Sequence, residues 1–147
     1  MAQVFTQEWA DEVRTAVNSF PDPEYKATKL DMFWDWITVA RNGFNGSFAL
    51  GARDYDGGQK FVKLTIDAGE CTKAEITDTQ PEDARYVLAG DYDVWRDIVA
   101  NGYDCGKAVM YRRFRLEQGD VFRFFNRIYF FTESLVALSK VPATLPA

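Results

Sequence analysis

The first 20 residues carry apolar side chains at the three- and four-residue spacing of an amphipathic helix. These apolar positions are Phe5, Trp9, Val13, Ala16, Val17 and Phe20. Thr6 is a suitable N-cap, because its hydroxyl can accept a hydrogen bond from a free backbone N–H of the first turn. The pattern therefore predicts a first helix that ends before Pro21.

A second helix is predicted to begin at Pro21-Asp22-Pro23, with Asp22 as N-cap and Pro23 at the first helical position. Asn42-Gly43 is suited to end it. One face of this helix contains Leu30, Phe33, Trp34, Ile37 and Arg41. Residues 32–40 are also rich in aromatic and β-branched side chains, so a strand is the alternative for this segment.

From Phe44 onward the apolar residues recur at every second position, which is the period of a half-buried strand. Four consecutive strands are predicted, around residues 47–53, 62–67, 72–77 and 85–90. Glycine-containing turns join the first three, and a polar loop leads to the fourth. We therefore expect an antiparallel meander.

The rest of the chain favours helices around one further strand. Asp91 is a candidate N-cap for a short helix that Asn101-Gly102 ends. A helical turn at 107–111 and a strand containing Phe114 and Leu116 follow. Residues 121–140 are predicted to form one last helix. This order of elements indicates a single α+β domain, with one sheet covered by helices.

The predicted last helix has more apolar surface than one core requires. At about 100° per residue, its apolar residues spread over roughly 200°, whereas a core-facing stripe is about 100° wide. Phe130 falls on the polar side, with Arg123, Asn126, Arg127, Glu133 and Ser134. Three explanations stay open for the surplus: a thick core, the wall of an apolar cavity, or a dimer interface.

The amino-acid composition limits the catalytic sites, metal sites and partners that this chain could have. The 147 residues include no histidine, which excludes histidine-based triads and histidine metal sites. Two cysteines, Cys71 and Cys105, are too few for a disulfide framework and are expected to be reduced and buried. A net charge of −5 does not favour nucleic acid as a partner. We expect no cofactor or metal.

The sequence gives no sign of membrane insertion or secretion. The first residues lack the basic and apolar regions of a signal peptide. Charged residues interrupt the richest apolar run, 121–141, before it reaches the roughly 20 residues that span a bilayer. The predicted location is cytoplasmic.

A few side chains are candidates for chemistry or for binding a charged group. Asp35 lies between aromatic residues, where burial would raise a carboxyl pKa, but at helical spacing it is expected to point to solvent. Cys105 is near a helix start and beside a lysine, both of which lower a thiol pKa, but it lacks a histidine base. Lys107, Arg112, Arg113 and Arg115 form a basic cluster suited to solvent, an anionic head group or an anionic lipid.

Residues 46–141 resemble the sterol carrier protein 2 (SCP2-like) family of small lipid-binding domains. The resemblance rests on Pro81-Glu82-Asp83-Ala84 before the strand at 85–90, on Asp93-Val94-Trp95-Arg96-Asp97-Ile98, on Lys107-Ala108-Val109-Met110, and on Phe114-Arg115-Leu116 with Gly119-Asp120. Family members commonly have Ser-Gly where this chain has Tyr111-Arg112, and a more aliphatic last helix. Residues 1–45 have no counterpart in the resemblance and are predicted to be an N-terminal helical extension.

The resemblance implies a five-stranded, largely antiparallel sheet covered on one face by helices, with an apolar tunnel between them. It implies non-enzymatic binding or transfer of a fatty acid, fatty acyl-CoA, phospholipid or sterol-like compound. Carried over by position, the candidate ligand contacts are Trp95, Ile98, Val99, Val109, Met110, Phe114, Phe122, Phe125, Ile128 and Tyr129. The basic cluster supplies candidate head-group contacts, namely Lys107, Arg112, Arg113 and Arg115.

Two other hypotheses remain open. The first is an enzyme, or a subunit of one, that holds a hydrophobic substrate in the same pocket and uses Asp35, Asp104 or Tyr111 for acid–base chemistry. The second is an interaction domain filled by its own side chains. Transient contact with a membrane surface and homodimerisation are the further partner interactions that the sequence suggests.

Overall fold

The computed structural model describes residues 2–19, 23–55 and 57–145. Along the chain the elements are β1 (Ala2–Gln3), α1 (Gln7–Ser19), α2 (Pro23–Lys26), α3 (Asp31–Asn42), β2 (Gly46–Tyr55), β3 (Gly58–Asp67), β4 (Glu70–Thr77), β5 (Tyr86–Gly90), α4 (Tyr92–Asn101), α5 (Cys105–Met110), β6 (Phe114–Gln118), α6 (Val121–Asn126), α7 (Ile128–Ser139) and β7 (Ala143–Thr144). Among the described residues, no helix is long and apolar enough to cross a bilayer.

The N-terminal helices largely follow the sequence pattern. Thr6 caps α1, because its Oγ1 accepts a hydrogen bond from the Trp9 backbone N–H at 3.3 Å. Pro23 is the first residue of α2 as predicted, whereas the predicted N-cap, Asp22, lies outside the described residues. The second predicted helix is two helices, α2 and α3, and the strand alternative for residues 32–40 is wrong.

The main sheet has five strands in the order β4-β3-β2-β5-β6. The β2–β5 pair is parallel and the other three pairs are antiparallel, so the predicted five-stranded, largely antiparallel sheet is confirmed. The predicted four-strand meander is wrong, because β5 crosses over to β2 instead of pairing with β4. All five residues of β5 are buried, and such a strand belongs in the sheet centre with a neighbour on each side.

Two rows of apolar side chains cross the helix-covered face of the sheet. Direct strand pairing aligns Tyr86, Phe48, Leu64 and Ala74 in one row. The second row contains Leu116, Leu88, Leu50, Val62 and Ile76. Both rows belong to the main hydrophobic core, in which the helices cover them.

The opposite face of the sheet carries a small apolar cluster of Ala49, Phe61, Ala84, Val87 and Ala89. Gly51 makes room for the Phe61 ring, since a Cβ at Gly51 would lie 2.2 Å from a ring carbon of Phe61. Arg53 lies over the outer side of the same ring, with its guanidinium carbon 5.4 Å from the ring centre.

Helix α1 packs on β4 and on α7. Its Trp9, Val13 and Val17 side chains are buried in the main core. Asn18 forms two hydrogen bonds with the backbone of Cys71, donating to the carbonyl at 2.9 Å and accepting from the N–H at 2.8 Å. The described residues 2–19 therefore share one core with the sheet.

The last apolar segment forms two helices and not one. Helix α6 ends at Asn126, Arg127 has a non-helical backbone (φ −123°, ψ 20°), and α7 begins at Ile128. The break lets the rings of Phe124 and Phe131 stack with their centres 5.0 Å apart and their planes 3° apart. In one continuous helix, residues seven apart are separated by about 10 Å along the axis, so this stacking requires the break.

The break also changes which side chains face the sheet. Phe130, expected on the polar side, is 3% exposed, and Glu133 and Ser134 are buried with it. In contrast, Phe122, Phe125 and Tyr129 are largely exposed. The predicted polar position of Phe130 is therefore wrong, because α7 is rotated relative to the continuation of α6.

Candidate functional site

A pocket of about 600 Å³ lies at the β6 edge of the sheet, between the strands, the end of α5 and the two last helices. Most of its lining is apolar. The lining residues are Leu88, Val109, Met110, Arg112, Phe114, Arg115, Leu116, Glu117, Gly119, Val121, Phe124, Phe125 and Ile128. The shape and composition suit the hydrophobic part of a small molecule.

The floor of the pocket follows from the alternation in β6. Phe114 and Leu116 lie on the helix-covered face of this strand, and Leu116 is paired with Leu88 of β5. Phe124 closes the floor from α6 and is itself almost fully buried against the ring of Tyr86. These side chains are held by the main core, so the floor is a rigid apolar surface.

The turn between β6 and α6 sets the position of α6 over the pocket. Gly119 has φ +115°, and a Cβ there would lie 2.6 Å from the Arg85 carbonyl oxygen, so this site requires glycine. Asp120 then caps α6, since its Oδ1 accepts hydrogen bonds from the N–H groups of Phe122 at 2.9 Å and Arg123 at 3.2 Å.

Three charged residues lie in the wall of the pocket. Arg112 and Arg115 are exposed. Glu117 is directed to a different partner, because its carboxylate pairs with Arg53 at 3.6 Å. Arg115 pairs with Ala89, so its side chain extends from the opposite face of the sheet to Phe114 and Leu116. The pocket therefore combines an apolar floor with one arginine, Arg112, that can meet an anionic group.

The structure brings seven of the predicted binding residues to this pocket. They are Val109, Met110, Phe114, Phe125 and Ile128, with Arg112 and Arg115. Phe122 is 80% exposed on the outside of α6, and Lys107 is exposed on α5. A role in ligand binding stays a prediction for every one of them.

Trp95 belongs to the core and does not line the pocket. Its Nε1 donates a hydrogen bond to the Gly51 carbonyl at 2.8 Å. Its ring packs against those of Phe5, at 4.8 Å between centres, and Phe114, at 5.4 Å. These contacts hold α4 on the sheet, and they place Trp95 behind Phe114 as seen from the pocket.

Arg113 is engaged with α4. Its guanidinium donates to an Asp97 carboxylate oxygen at 2.9 Å and lies 4.7 Å from the centre of the Tyr103 ring. This hydrogen bond lowers the pKa of Asp97 and raises that of Arg113. Arg113 is therefore held by α4 and does not line the 600 Å³ pocket. It lies beside Arg112 and Arg115 in a separate cavity of about 400 Å³.

The space between the sheet and α7 is filled by aromatic rings. Phe131 lies 5.0 Å from Phe48, 5.2 Å from Tyr86 and 5.6 Å from Phe44, measured between ring centres. Phe130 lies 5.9 Å from Phe48. The tunnel implied by the resemblance is therefore blocked along α7, and the open volume lies beside α6.

A second cavity, of about 500 Å³, lies on another side of α7 and is lined in part by Ile98, Val99 and Tyr129. It also contains Glu133, which is 6% exposed and accepts a hydrogen bond from the Tyr25 hydroxyl at 2.9 Å. Burial raises the pKa of Glu133 and, with the adjacent carboxyl, that of Tyr25.

Glu133 was expected on a solvent-facing side, so sequence reasoning missed its burial. The signal was present, because Glu133 is the only charged residue in the sequence between Ile128 and Ser139. A lone charge in an apolar helix is either exposed at an edge or buried with a partner. Here Tyr25 supplies that partner.

Cys105 lines the second cavity but is a poor nucleophile. Burial raises the pKa of its thiol to about 11. The expected lowering of this pKa is wrong, because loss of hydration on burial outweighs the hydrogen bond with Ser139, which lowers it, and the carboxyls of Asp104 and Glu133 raise it further.

The three acid–base candidates are dispersed. Asp35 is exposed on α3, Asp104 caps α5 by accepting from the Lys107 N–H at 2.9 Å, and Tyr111 is exposed after α5. None of the three is among the described residues that line the 600 Å³ pocket. In the same part of the chain, no cluster of three or more Cys, Asp and Glu residues could hold a metal ion.

Comparison with solved structures finds matches in fold, among them a crystal structure and a solution structure. The crystal structure of sterol carrier protein 2 matches with a TM-score of 0.72 and 19% sequence identity, over 95% of this chain and 99% of the other. The solution structure of a conserved hypothetical protein from Thermus thermophilus, described as possibly a sterol carrier protein, gives 0.69 and 21%, over 100% and 94%. Scans of protein-family profiles and of curated proteins find no match.

Proposed function

We propose that this chain, which has the sterol carrier protein 2-like fold, binds a hydrophobic small molecule in the pocket between β6, α5 and α6. One observation carries the proposal: the pocket of about 600 Å³ has an apolar floor and the exposed Arg112 in its wall. This volume lies within the range of roughly 300 to 1,000 Å³ that is usual for small-molecule sites.

The pocket supports a ligand with an apolar chain or ring system and a negatively charged head group. The apolar part would lie against Leu88, Phe114 and Phe124, where each buried methylene contributes about 0.8 kcal/mol. The head group would meet Arg112. Among the predicted ligand classes, this arrangement favours a fatty acid, fatty acyl-CoA or acidic phospholipid over an uncharged sterol.

The proposed mechanism is binding and release without chemistry. Sterol carrier protein 2 is named as a carrier, and the shared fold supports a carrier role here. We further propose a cytoplasmic location. Native mass spectrometry of the purified chain would show co-purified lipid and the number of subunits together, and so also tests homodimerisation.

A pair of matched substitutions tests the location of the site. Val109→Phe fills the pocket, whereas Val99→Phe makes the same change at the second cavity. We expect Val109→Phe to weaken binding of a fluorescent fatty acid at least tenfold, or about 1.4 kcal/mol, and Val99→Phe to have little effect. Equal effects of the two changes, or a native chain that binds no fatty acid, would overturn the proposal.

The alternative function is an enzyme, or an enzyme subunit, acting on a hydrophobic substrate held in the same pocket. The absence of Asp35, Asp104 and Tyr111 from the described residues that line the pocket favours the carrier. A domain filled by its own side chains is the remaining hypothesis, and the aromatic filling under α7 supports it only for that part of the chain.

A further inference from the structure

Helix α3 exposes a stripe of large apolar side chains on the side that faces away from the core. This stripe, which we call the α3 surface, consists of Met32, Trp36 and Val39, all between 59% and 73% exposed. The three side chains fall within about 60° of one another around the helix axis. Trp34, the buried residue of this helix, lies on the opposite side. Packing within the chain therefore leaves the α3 surface uncovered.

A second exposed apolar area, which we call the α6 surface, lies on α6 and the end of α5. It consists of Met110, Val121, Phe122 and Phe125, which are between 45% and 80% exposed. Met110, Val121 and Phe125 line the 600 Å³ pocket and are therefore close together. Phe122 follows on the same side of α6, about 60° from Phe125 around the helix axis. The α6 surface therefore borders the pocket.

The two surfaces are neighbours, because α3 lies beside the break between α6 and α7. The ring of Phe33 is 5.6 Å from the ring of Tyr129, measured between centres. At the other end of α3, the Arg127 guanidinium donates a hydrogen bond to the Gly43 carbonyl at 3.4 Å. Tyr129 is itself 58% exposed. It therefore adds a further exposed ring where α3 meets the residues that follow α6.

The charged residues beside the two surfaces have opposite signs. Asp31 and Asp35 are exposed on α3, and Asp35 lies about 40° from Val39 around the helix axis. Arg112 and Arg123 are exposed beside the α6 surface. The ion pairs found among the described residues involve none of these four side chains. The α3 surface therefore has an acidic border and the α6 surface a basic one.

We infer that a second copy of this chain covers both surfaces, in a two-fold symmetric dimer in which the α3 surface of each copy packs on the α6 surface of the other. Two-fold symmetry forms both contacts at once. Opposite charges then meet at each contact, whereas α6 packed on α6 would place arginine against arginine. The two surfaces and Tyr129 together expose on the order of 800 Å² of large apolar side chains, about the area that each partner buries in a standard interface.

This inference goes beyond the proposed function, because association is measured on the chain without ligand. Asp35 and Arg123 are suitable test positions, since neither is among the described residues that line the pocket. Glu12 and Arg14 provide a matched control. Both are exposed on α1, which packs on β4 at the opposite edge of the sheet from β6.

Sedimentation velocity of the ligand-free full chain over a range of concentrations tests the inference. We expect the native chain to form dimers, and Asp35→Arg or Arg123→Glu alone to raise the dissociation constant at least about tenfold. Both changes in one chain should restore the dimer, because each contact then pairs opposite charges again. Glu12→Arg with Arg14→Glu should leave the dissociation constant unchanged.

Several results would overturn the inference. They are a native chain that stays monomeric, equal losses in the test and control variants, or a double variant that stays as weak as the single ones. A native dimer that Arg123→Glu strengthens would also overturn it, since that result indicates contact between two α6 surfaces. Because the monomeric variants keep the whole pocket lining, their binding of a fluorescent fatty acid reports on the proposed function separately.

Discussion

The ring of Phe124 stacks on the ring of Phe131 across a break in the last helical segment, with their planes 3° apart. Phe124 thereby belongs both to the core and to the floor of the pocket. The same break directs Phe122 and Phe125 outward. One non-helical residue, Arg127, thus determines which aromatic side chains stabilise the fold and which are available at the surface.

The helix break can be tested with two alanine substitutions. Phe130→Ala removes a buried ring and should lower the free energy of unfolding by about 3 to 5 kcal/mol, whereas Phe122→Ala removes an exposed ring and should change it by less than about 0.5 kcal/mol. Urea unfolding measures both. A continuous helix, as the apolar pattern alone predicts, would give the small effect at Phe130.

Glu133 should make stability depend on pH in a recognisable way. Because burial raises its pKa above the ordinary 4.5, the folded state holds the proton more tightly than the unfolded state does. Ionisation of Glu133 therefore reduces stability as the pH rises from 4.5 through the raised pKa. Glu133→Gln removes this loss, so the Tm of the variant minus the native Tm should increase with pH across that window.

Tyr25→Phe extends the same measurement. The hydrogen bond from Tyr25 opposes the effect of burial and lowers the pKa of Glu133, so its removal should move the pH window upward. Circular dichroism melts from acid to neutral pH measure both variants. A Tm difference for Glu133→Gln that stays constant with pH would show that Glu133 is hydrated in solution.

Conservative changes at Asp35, Asp104 and Tyr111 distinguish a carrier from an enzyme. Asp35→Asn, Asp104→Asn and Tyr111→Phe should each leave fatty acid affinity within about tenfold of the native value, or about 1.4 kcal/mol, since none of these residues lines the pocket. Asparagine also preserves the helix cap at position 104. Loss of a turnover activity in one of these variants, with native folding and ligand affinity, would instead identify an enzyme.

The sequence predicts those parts of the fold that local alternation determines. Strands β2, β3 and β4 show clear alternation, and short turns make their neighbours unambiguous. Strand β5 is buried throughout, so its sequence contains no information about its neighbours or direction. Its parallel pairing with β2 depends on a crossover that no local pattern encodes.

The break in the last helical segment could not be predicted from the sequence for a related reason. Arg127 is neither glycine nor proline, so nothing in the sequence marks the break. The apolar spread of roughly 200° on a single helical projection is explained by two helices with different rotations. Part of the pocket lining could be predicted from the sequence. The resemblance gives Val109 and Ile128, whereas the position of Leu88 in the pocket depends on the pairing of β5 with β6, which the sequence does not show.

Basic residues are concentrated in one segment of the chain. Residues 107–127 contain six basic and two acidic residues, whereas the rest of the chain contains 11 basic and 20 acidic ones. Arg112, which belongs to this segment, lines the pocket. Exposed charges act over about 8 to 10 Å at physiological salt, so added salt should slow the association of an anionic ligand with the pocket as well as weaken its binding.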